Sequence, residues 1–291
     1  VAVNGSMEVS PTQATTYTYT ITVTGDGGTA TANTTITVNI DNTLPPDPVT
    51  VAPALDLTIA TSIGSATAFL YTGENPIQTG VGTDTIQAYR CAVLRGKALD
   101  RENQPLSGVT ITILNHSEFG QTLSRADGMF DMAVNGGGLL TVDYKKEGYL
   151  PAQRQVDAPW QDYAWLPNVV MIPHDIEITT IDLASGDPMQ VAQGSVVTDN
   201  DGSRTATILF PQGTEAEMTL PDGTTQPLLT LNVRATEYTV GENGPKSMPA
   251  PLPPQSGYTY CIDLSVDEAD AVGAKDVKFN QPVWFYVENF L

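Results

Sequence analysis

The stretch that decides the fold covers residues 95–138 and reads RGKALDRENQPLSGVTITILNHSEFGQTLSRADGMFDMAVNGGG. Apolar and polar residues alternate over 109–113 and again, with few exceptions, over 130–134, which is the period of a strand with one buried face. The Asp-Gly pair at 127–128 and the Asn-Gly-Gly-Gly run at 135–138 supply the backbone angles of tight turns. The stretch therefore predicts the antiparallel strands of a β-sandwich.

Three motifs in the same stretch resemble those of a known family. The order G-x-x-x-D-x-x-x-x-P-L-x-G-V-x-I, then T-x-S-R-x-D-G-x-F-D and then N-G-G, resembles carboxypeptidase-regulatory or transthyretin-like domains. The fuller string FGQTLSRADGMFD at 119–131 is similar to the transthyretin-like domain of teneurins and of bacterial tyrosine-aspartate-repeat (YD-repeat, Rhs-type) proteins. The resemblance covers about residues 95–173. It implies a non-catalytic module of a very large secreted or cell-surface protein.

Charge and length limit the classes of partner and of domain organisation. The chain of 291 residues is long enough for two or three domains, and its formal net charge is −20. Such acidity argues against binding to nucleic acid or to an anionic membrane surface. No run of 18 apolar residues occurs, so no membrane insertion is predicted. The predicted partners are other domains of the same large chain or further copies of it.

The first 43 residues are rich in threonine and contain no lysine or arginine. Alternation over 17–24 and 34–40, on either side of a Gly-Gly turn, predicts a hairpin, and an earlier strand is expected near 3–9. The pattern resembles the C-terminal half of a bacterial immunoglobulin-like domain. The resemblance implies a partial Ig-like β-domain over 1–43, with an open sheet that pairs with the missing half, another copy or a donated strand. We expect the native chain to continue at both ends.

The fold class predicted for the whole chain is all-β, with tandem β-sandwich modules and one short connector helix. Residues 44–89 form a linker that starts with three prolines, and apolar residues at helical spacing predict a helix over 56–71. Asp56 is the predicted N-cap of that helix. A transthyretin-like Greek-key domain over 90–174 follows the linker.

Residues 175–291 predict a third β-sandwich, plug-like and incomplete at its C-terminus. Separate strands are predicted over 228–233 and 236–240, a long strand over 258–266, and a hairpin turn at 199–202. The segment faintly resembles the β-sandwich of ankyrins and netrin receptors. In teneurin-like proteins this position is held by a fibronectin-like plug, but no motif here is specific enough to assign it.

The titratable residues do not form a recognisable catalytic or metal motif. His116 and His174 are the only histidines, and no G-x-S-x-G nucleophile elbow is present, so we predict no enzyme and no catalytic residue. Asp199 and Asp201 are weak candidates for Ca²⁺, but the spacing of a calcium loop is absent, and a plain hairpin turn is the preferred explanation. No other cofactor is predicted.

Two groups of residues leave alternatives open. Trp160, Tyr163 and Trp165 either cap the sandwich and pack on a neighbouring domain, or form a platform on which a sugar or peptide stacks. Cys91 and Cys261 are either unrelated thiols or a disulfide between domains.

The leading functional interpretation is a structural and interaction segment of a secreted or cell-surface YD-repeat protein. Its β-modules would space or seal the shell of repeats. The alternative is an extracellular adhesion or glycan-binding module that uses the aromatic residues at 160–165. Exposed, coplanar rings would favour the alternative, whereas buried rings would favour the scaffold.

Overall fold

A computed structural model describes residues 16–37, 44–56, 58–200, 202–239, 241–253, 255 and 260–287. The chain divides into two units, residues 1–44 and 45–291. The all-β prediction is confirmed, because strands dominate the described residues and fall there into seven sheets. Across these described ranges, no helix has the length and apolar character needed to cross a membrane.

The first unit contains a long antiparallel hairpin. Strands β1 (Thr16–Gly25) and β2 (Gly28–Thr37) pair in register from end to end. The predicted hairpin is therefore present, and the turn uses Gly28 at a φ of 114°, which a glycine adopts without strain. Ile21 and Val23 lie on one face of the hairpin and are largely exposed. The strand predicted near 3–9 lies outside the described residues.

The connector helix is shorter than predicted. Helix α1 (Pro48–Val51) is one turn, and α2 (Ile63–Thr67) continues as a 3₁₀ turn, Ala68–Leu70. The prediction of a helix over 56–71 is therefore wrong for Asp56 and for 58–62. The N-cap is Ser62, whose hydroxyl accepts a hydrogen bond from the backbone N–H of Ser65. Asp56 instead accepts bonds from the backbone and hydroxyl of Thr58, which closes a local turn that competes with a helix.

The module predicted to be transthyretin-like follows, and it is built from two sheets. Its strands are β3 (Gln78–Thr79), β4 (Cys91–Leu99), β5 (Thr110–Ile113), β6 (Gln121–Leu123), β7 (Met129–Asn135), β8 (Gly138–Lys145), β9 (Ala152–Ala158), β10 (Asp162–Trp165) and β11 (Val169–Val170). One sheet has the order β3-β6-β5-β8-β9. In the other, β7 pairs with one edge of β4, and β10 and β11 pair in parallel with β4.

The core between these two sheets contains the residues that the alternating pattern predicted. The alternating apolar residues of 109–113 and 130–134 are buried there, together with Leu140 and Val142 of β8: Val109, Ile111, Ile113, Phe130, Met132, Leu140 and Val142. Phe130 also meets Tyr144 edge to face, with ring centroids 5.7 Å apart. The register assigned from the sequence is therefore correct.

The third module consists of short sheets around a second core. Its strands are β12 (Thr179–Asp182), β13 (Met189–Gln193), β14 (Val197–Asp199), β15 (Gly202–Arg204), β16 (Ala206–Pro211), β17 (Ala216–Thr219), β18 (Thr225–Leu228), β19 (Thr230–Glu237), β20 (Ile262–Val266), β21 (Asp276–Phe279) and β22 (Trp284–Val287). Helix α3 (Asp267–Ala271) follows β20. The three larger sheets have the orders β12-β19-β20, β13-β16-β22 and β18-β17-β21.

Two strand predictions in this module need correction. The separate strands predicted over 228–233 and 236–240 are replaced by β18, which ends at Leu228, and by the continuous β19. Arg234 does not interrupt β19, because the strand is hydrogen-bonded to β20 over this region. The strand predicted over 258–266 begins at Ile262 in the described residues, and residues 256–259 lie outside them.

Truncation of Phe130 should be strongly destabilising. The ring is fully buried in the first core, so Phe130→Ala should lower the free energy of unfolding of this module by about 3–5 kcal/mol. Leu139→Ala is the matched control, since Leu139 is 59% exposed on the adjacent sheet and should change stability by no more than about 0.5 kcal/mol. Urea denaturation followed by fluorescence measures both. Equal losses for the two variants would contradict the assigned register.

Gly128→Ala tests the turn between β6 and β7. Gly128 has a φ of +77°, and a Cβ there would lie 2.4 Å from the carbonyl oxygen of Ala98. Gly148 is the control, because it has a φ of +78° with no atom near a Cβ. Gly148→Ala should cost about 1–2 kcal/mol for the backbone conformation alone, and Gly128→Ala should cost clearly more. Thermal unfolding of both variants gives the difference, and a smaller loss at Gly128 would mean that this turn is not formed.

Candidate functional site

Trp160 sits on a platform made by the Asn-Gly-Gly motif. A Cβ at Gly137 would lie 2.0 Å from the indole Nε1 of Trp160, so only glycine leaves room for this ring. Tyr89 meets the indole edge on, with ring centroids 6.3 Å apart and an interplanar angle of 81°. Trp160 is nevertheless 59% exposed. The glycine motif therefore fixes an aromatic ring at the surface.

Trp165 and Tyr163 form a second group of aromatic rings, on the outer face of β10. The guanidinium of Arg95 lies over both rings, 4.6 Å from the centroid of Tyr163 and 5.7 Å from that of Trp165. Tyr163 is half-buried against the connector helix, whereas Trp165 is 63% exposed. The structure thus leaves both indoles at the surface, but the rings of Trp160 and Tyr89 are not coplanar.

Arg95 is held in this position by a buried carboxylate. Asp131 is almost completely buried and accepts hydrogen bonds from Arg95 Nε and, at 2.5 Å, from Arg125 Nη1. The ion pair of Arg125 with Asp131 is buried, because Arg125 is 8% exposed and Asp131 2%. Loss of Asp131 would leave a buried guanidinium without its partner, which costs more than a surface pair contributes.

Arg154 joins the transthyretin-like module to the third module. It lies at an inward position of β9 and is buried. Its guanidinium donates to the carbonyl oxygens of Lys246 at 2.7 Å and Met248 at 2.9 Å. The backbone N–H of the neighbouring Gln153 donates to the carbonyl of Pro249 at 2.7 Å. The loop that follows β19 is therefore hydrogen-bonded along the start of β9.

Further contacts surround this junction. The side chains of Asn103 and Asn243 are hydrogen-bonded at 2.9 Å, and Asn243 also donates to the carbonyl of Arg101 at 2.9 Å. An apolar cluster fills the space between the two modules: Leu99, Leu150, Val170, Ile172, Tyr238 and Met248, with Cys261 partly buried against it. The two modules therefore share an interface that is both apolar and hydrogen-bonded.

The weak calcium candidates are not arranged as a metal site. Both carboxylate oxygens of Asp199 accept from Arg204, at 2.8 Å each, and Glu237 accepts from the same guanidinium. Arg204 is 1% exposed, so Asp199 serves as its counter-ion. Asp201 lies outside the described residues. Within the described part of the chain, no group of three or more His, Cys, Asp or Glu side chains is arranged to hold a metal ion.

The histidines and cysteines lie in separate environments. Nδ1 of His116 lies 2.8 Å from Glu118 on the surface. Cys91 and Cys261 are free thiols in this structure, and burial raises the pKa of both. A raised pKa keeps a thiol protonated and unreactive, which fits the interpretation of two unrelated structural cysteines.

Sequence reasoning missed the residues that build the junction. A signal existed for Arg154, since it occupies the buried side of a strand between Ala152 and Val156, where a charged residue needs a partner. Arg204 likewise precedes a regular apolar alternation. Asp199 lies only five residues before Arg204, but the other partners lie 33 to 94 residues further along the chain, and no local pattern indicates them.

Comparison with known proteins gives a family match and several curated relatives. The family described as Teneurin TTR-like domain matches residues 86–171. Teneurin-3 of Mus musculus is 32% identical over 122 residues, which are 42% of this chain and 4% of that protein. Teneurin-m of Drosophila melanogaster is 35% identical over 98 residues, which are 34% of this chain and 4% of that protein.

A third relative, Teneurin-4 of Homo sapiens, is 28% identical over 123 residues, 42% of this chain and 4% of that protein. The chain thus spans 4% of the length of these relatives. The matches confirm the resemblance of the string FGQTLSRADGMFD to the transthyretin-like domain of teneurins. Residues 86–171 are therefore a teneurin TTR-like domain.

Proposed function

We propose that this chain is a non-catalytic structural segment of a large extracellular or cell-surface YD-repeat protein. In this role, the TTR-like domain and the third module act as one rigid body that spaces or seals the shell of repeats. The observation that carries the proposal is the junction at Arg154, where the third module supplies two carbonyl oxygens to a buried guanidinium. The partners are then other domains of the same chain.

Physical chemistry supports rigidity at this junction. Domains in one chain move relative to each other unless their interface is large and apolar. Here the apolar cluster includes Tyr238 and Met248 from the third module, and burial of a tyrosine side chain opposes opening of the interface. Separation of the two modules would also expose or break the hydrogen bonds of Arg154. A scaffold that holds a fixed distance needs this kind of joint.

The first unit fits the same proposal. We take the hairpin β1–β2 as part of an immunoglobulin-like domain upstream of the TTR-like domain. Its threonine-rich strands contain no charged residue, and the turn between them contains one, Asp26. The net charge of −20 favours solubility outside the cell and does not suit nucleic-acid binding. Domain limits of 1–43, 44–89, 90–174 and 175–291 belong to this proposal, with the end of the 44–89 segment supplying strand β3 to the sheet of the TTR-like domain.

Arg154→Met should uncouple the two modules. The wild-type chain should unfold residues 45–291 in one transition, whereas the variant leaves the carbonyls of Lys246 and Met248 without their donor, at a cost of about 1–3 kcal/mol for each buried group. Two transitions are then expected in calorimetry. Arg90→Met is the control, because Arg90 donates to Gly136 inside the TTR-like domain and should lower stability without splitting the transition. One unchanged transition for Arg154→Met would contradict the rigid-joint proposal.

A second candidate function is adhesion or glycan binding at the exposed indoles. The exposure of Trp160 and Trp165, each held by the fold, favours it. Indole faces at the surface stack well on the apolar faces of sugars or on peptide side chains. The absence of a coplanar pair in the arrangement of Trp160 and Tyr89 argues against a flat platform. We therefore rank this function below the scaffold.

Retention on glycan-coated beads distinguishes the two functions. If the candidate is correct, Trp165→Ala should abolish retention, while its stability changes by no more than about 1 kcal/mol because the ring is largely exposed. Trp284→Ala is the matched control, since Trp284 is 52% exposed in the third module. If wild-type protein is not retained by any glycan on the beads, the adhesion candidate fails and the scaffold proposal is unaffected.

A further inference from the structure

The third module has a cleft that opens into its own core. Its volume is about 830 Å³. Apolar residues that belong to the second core line it, among them Ile208, Phe210, Val233 and Phe279. A core that is accessible from outside lacks the covering layer that a β-sandwich normally provides.

The cleft is bordered by two unpaired strand edges. Among the described residues, β20 and β22 are the outermost strands of their sheets, and both line the cleft. The four consecutive residues 263–266 of β20 all line the cleft. Because side chains alternate between the two faces of a strand, four residues in a row can line a cleft only along the strand's edge. The cleft therefore offers the free backbone groups of β20.

Exposed apolar side chains mark the place that a further strand would cover. Phe285 on β22 is 62% exposed, although its partner on β16, Ile208, is buried in the core. Leu264 on β20 is 45% exposed. An apolar side chain that lies on the core side of a sheet and still contacts water lacks a neighbour on the adjacent strand.

One end of the cleft is acidic and has an unsatisfied polar atom. His174 Nδ1 is buried without a hydrogen-bond partner in the described part of the chain. Asp263 and Asp270 line the same region, and burial raises the pKa of both carboxyl groups. Buried carboxylates gain from a cation that approaches them. This end of the cleft would favour a basic residue.

We propose that this cleft accepts one extended strand from another polypeptide segment, by β-strand addition to the edge of β20 or β22. The accepted strand has apolar residues at alternate positions, which fill the space lined by Phe210, Phe279 and Phe285. A lysine or arginine of the strand lies at the end near Asp263 and Asp270. Main-chain hydrogen bonds provide affinity in this binding mode, and the pockets for alternate side chains provide specificity.

Charge argues against a second copy of this chain as the occupant. Each copy carries a net charge of −20, so two copies repel each other. The acidic end formed by Asp263 and Asp270 adds to that repulsion in any arrangement that brings two clefts together. A basic-ended strand from a different segment has the complementary charge.

The probe is an acetylated synthetic peptide, Lys-Gly-Val-Thr-Val-Thr-Val-Ser, added to the full chain. Its control has the same composition with the three valines adjacent to one another, which removes the alternation. Hydrogen exchange measured by mass spectrometry should show protection of amides in 262–266 or 284–287 by the alternating peptide and not by the control. Amides of both segments that are already protected without peptide would overturn the proposal, since the edges would then be covered.

Two variants on β22 test which face of this strand contacts the peptide. Phe285→Ser should weaken binding of the labelled alternating peptide at least tenfold in fluorescence anisotropy. Tyr286→Ser is the matched control, because Tyr286 is 58% exposed on the opposite face of β22 and should change affinity less than twofold. Circular dichroism checks that both variants keep the fold. Equal effects of the two substitutions would overturn the assignment of the cleft.

Asp263→Asn tests whether the basic residue of the accepted strand lies at the acidic end of the cleft. The substitution should weaken binding of the lysine peptide about fivefold and leave binding of a peptide with glutamine in place of lysine unchanged. Equal binding by the control peptide, or no binding of either peptide at millimolar concentration, would overturn the proposal. Sedimentation that shows a dimer together with loss of peptide binding would identify a second copy as the occupant and would also overturn it.

Discussion

The side chain of Gln78 holds together the two sheets of the TTR-like domain. Its carbonyl accepts from the backbone N–H of Ala133 at 2.7 Å, and its amide donates to the carbonyl of Ala133 at 2.8 Å and to that of Phe119 at 2.7 Å. The backbone of Gln78 meanwhile pairs with β6 in the other sheet. One fully buried residue thus satisfies the free edge of β7 and extends the edge of β6. The connector before β4 is therefore part of the domain.

The same requirement, that every strand edge be paired or covered, explains how the modules are joined. Strand β9 is the outer strand of its sheet, and the loop after β19 covers its beginning through the contacts of Gln153 and Arg154. The ion pairs of Arg204 with Asp199 and Glu237 hold the end of β19, from which that loop leaves. The same contacts therefore cover the edge of β9 and dock the two modules on each other. By contrast, the edges of β20 and β22 remain uncovered among the described residues.

Structural features that depend on residues close together in the sequence could be predicted. Alternation identified the buried face of β5 and of β7, and the Asp-Gly pair located a turn in which Asp127 accepts from the N–H of Met129. The burial of Asp131 could not be predicted, because Arg95 comes from β4 and Arg125 from the loop before β7, and the three side chains meet only in the folded domain. The connector helix failed for a related reason: side-chain bonds of Asp56 and Ser62 decide where it starts, and helical spacing does not reveal them. The aromatic composition of 160–165 predicted the candidate surface, but it did not predict the residues that hold the rings in place.

The buried charges of the TTR-like domain determine what its surface presents. Asp131 has two arginine partners, so the pairing of β7 with β4 has only one register in which both charges are satisfied. A slip by one residue would turn Asp131 towards the apolar core, at a large desolvation cost. The register that satisfies Asp131 also places Arg95 beside Trp165, since these two residues are partners between β4 and β10. The orientation of the exposed indole is therefore a consequence of the same carboxylate that fixes the strands.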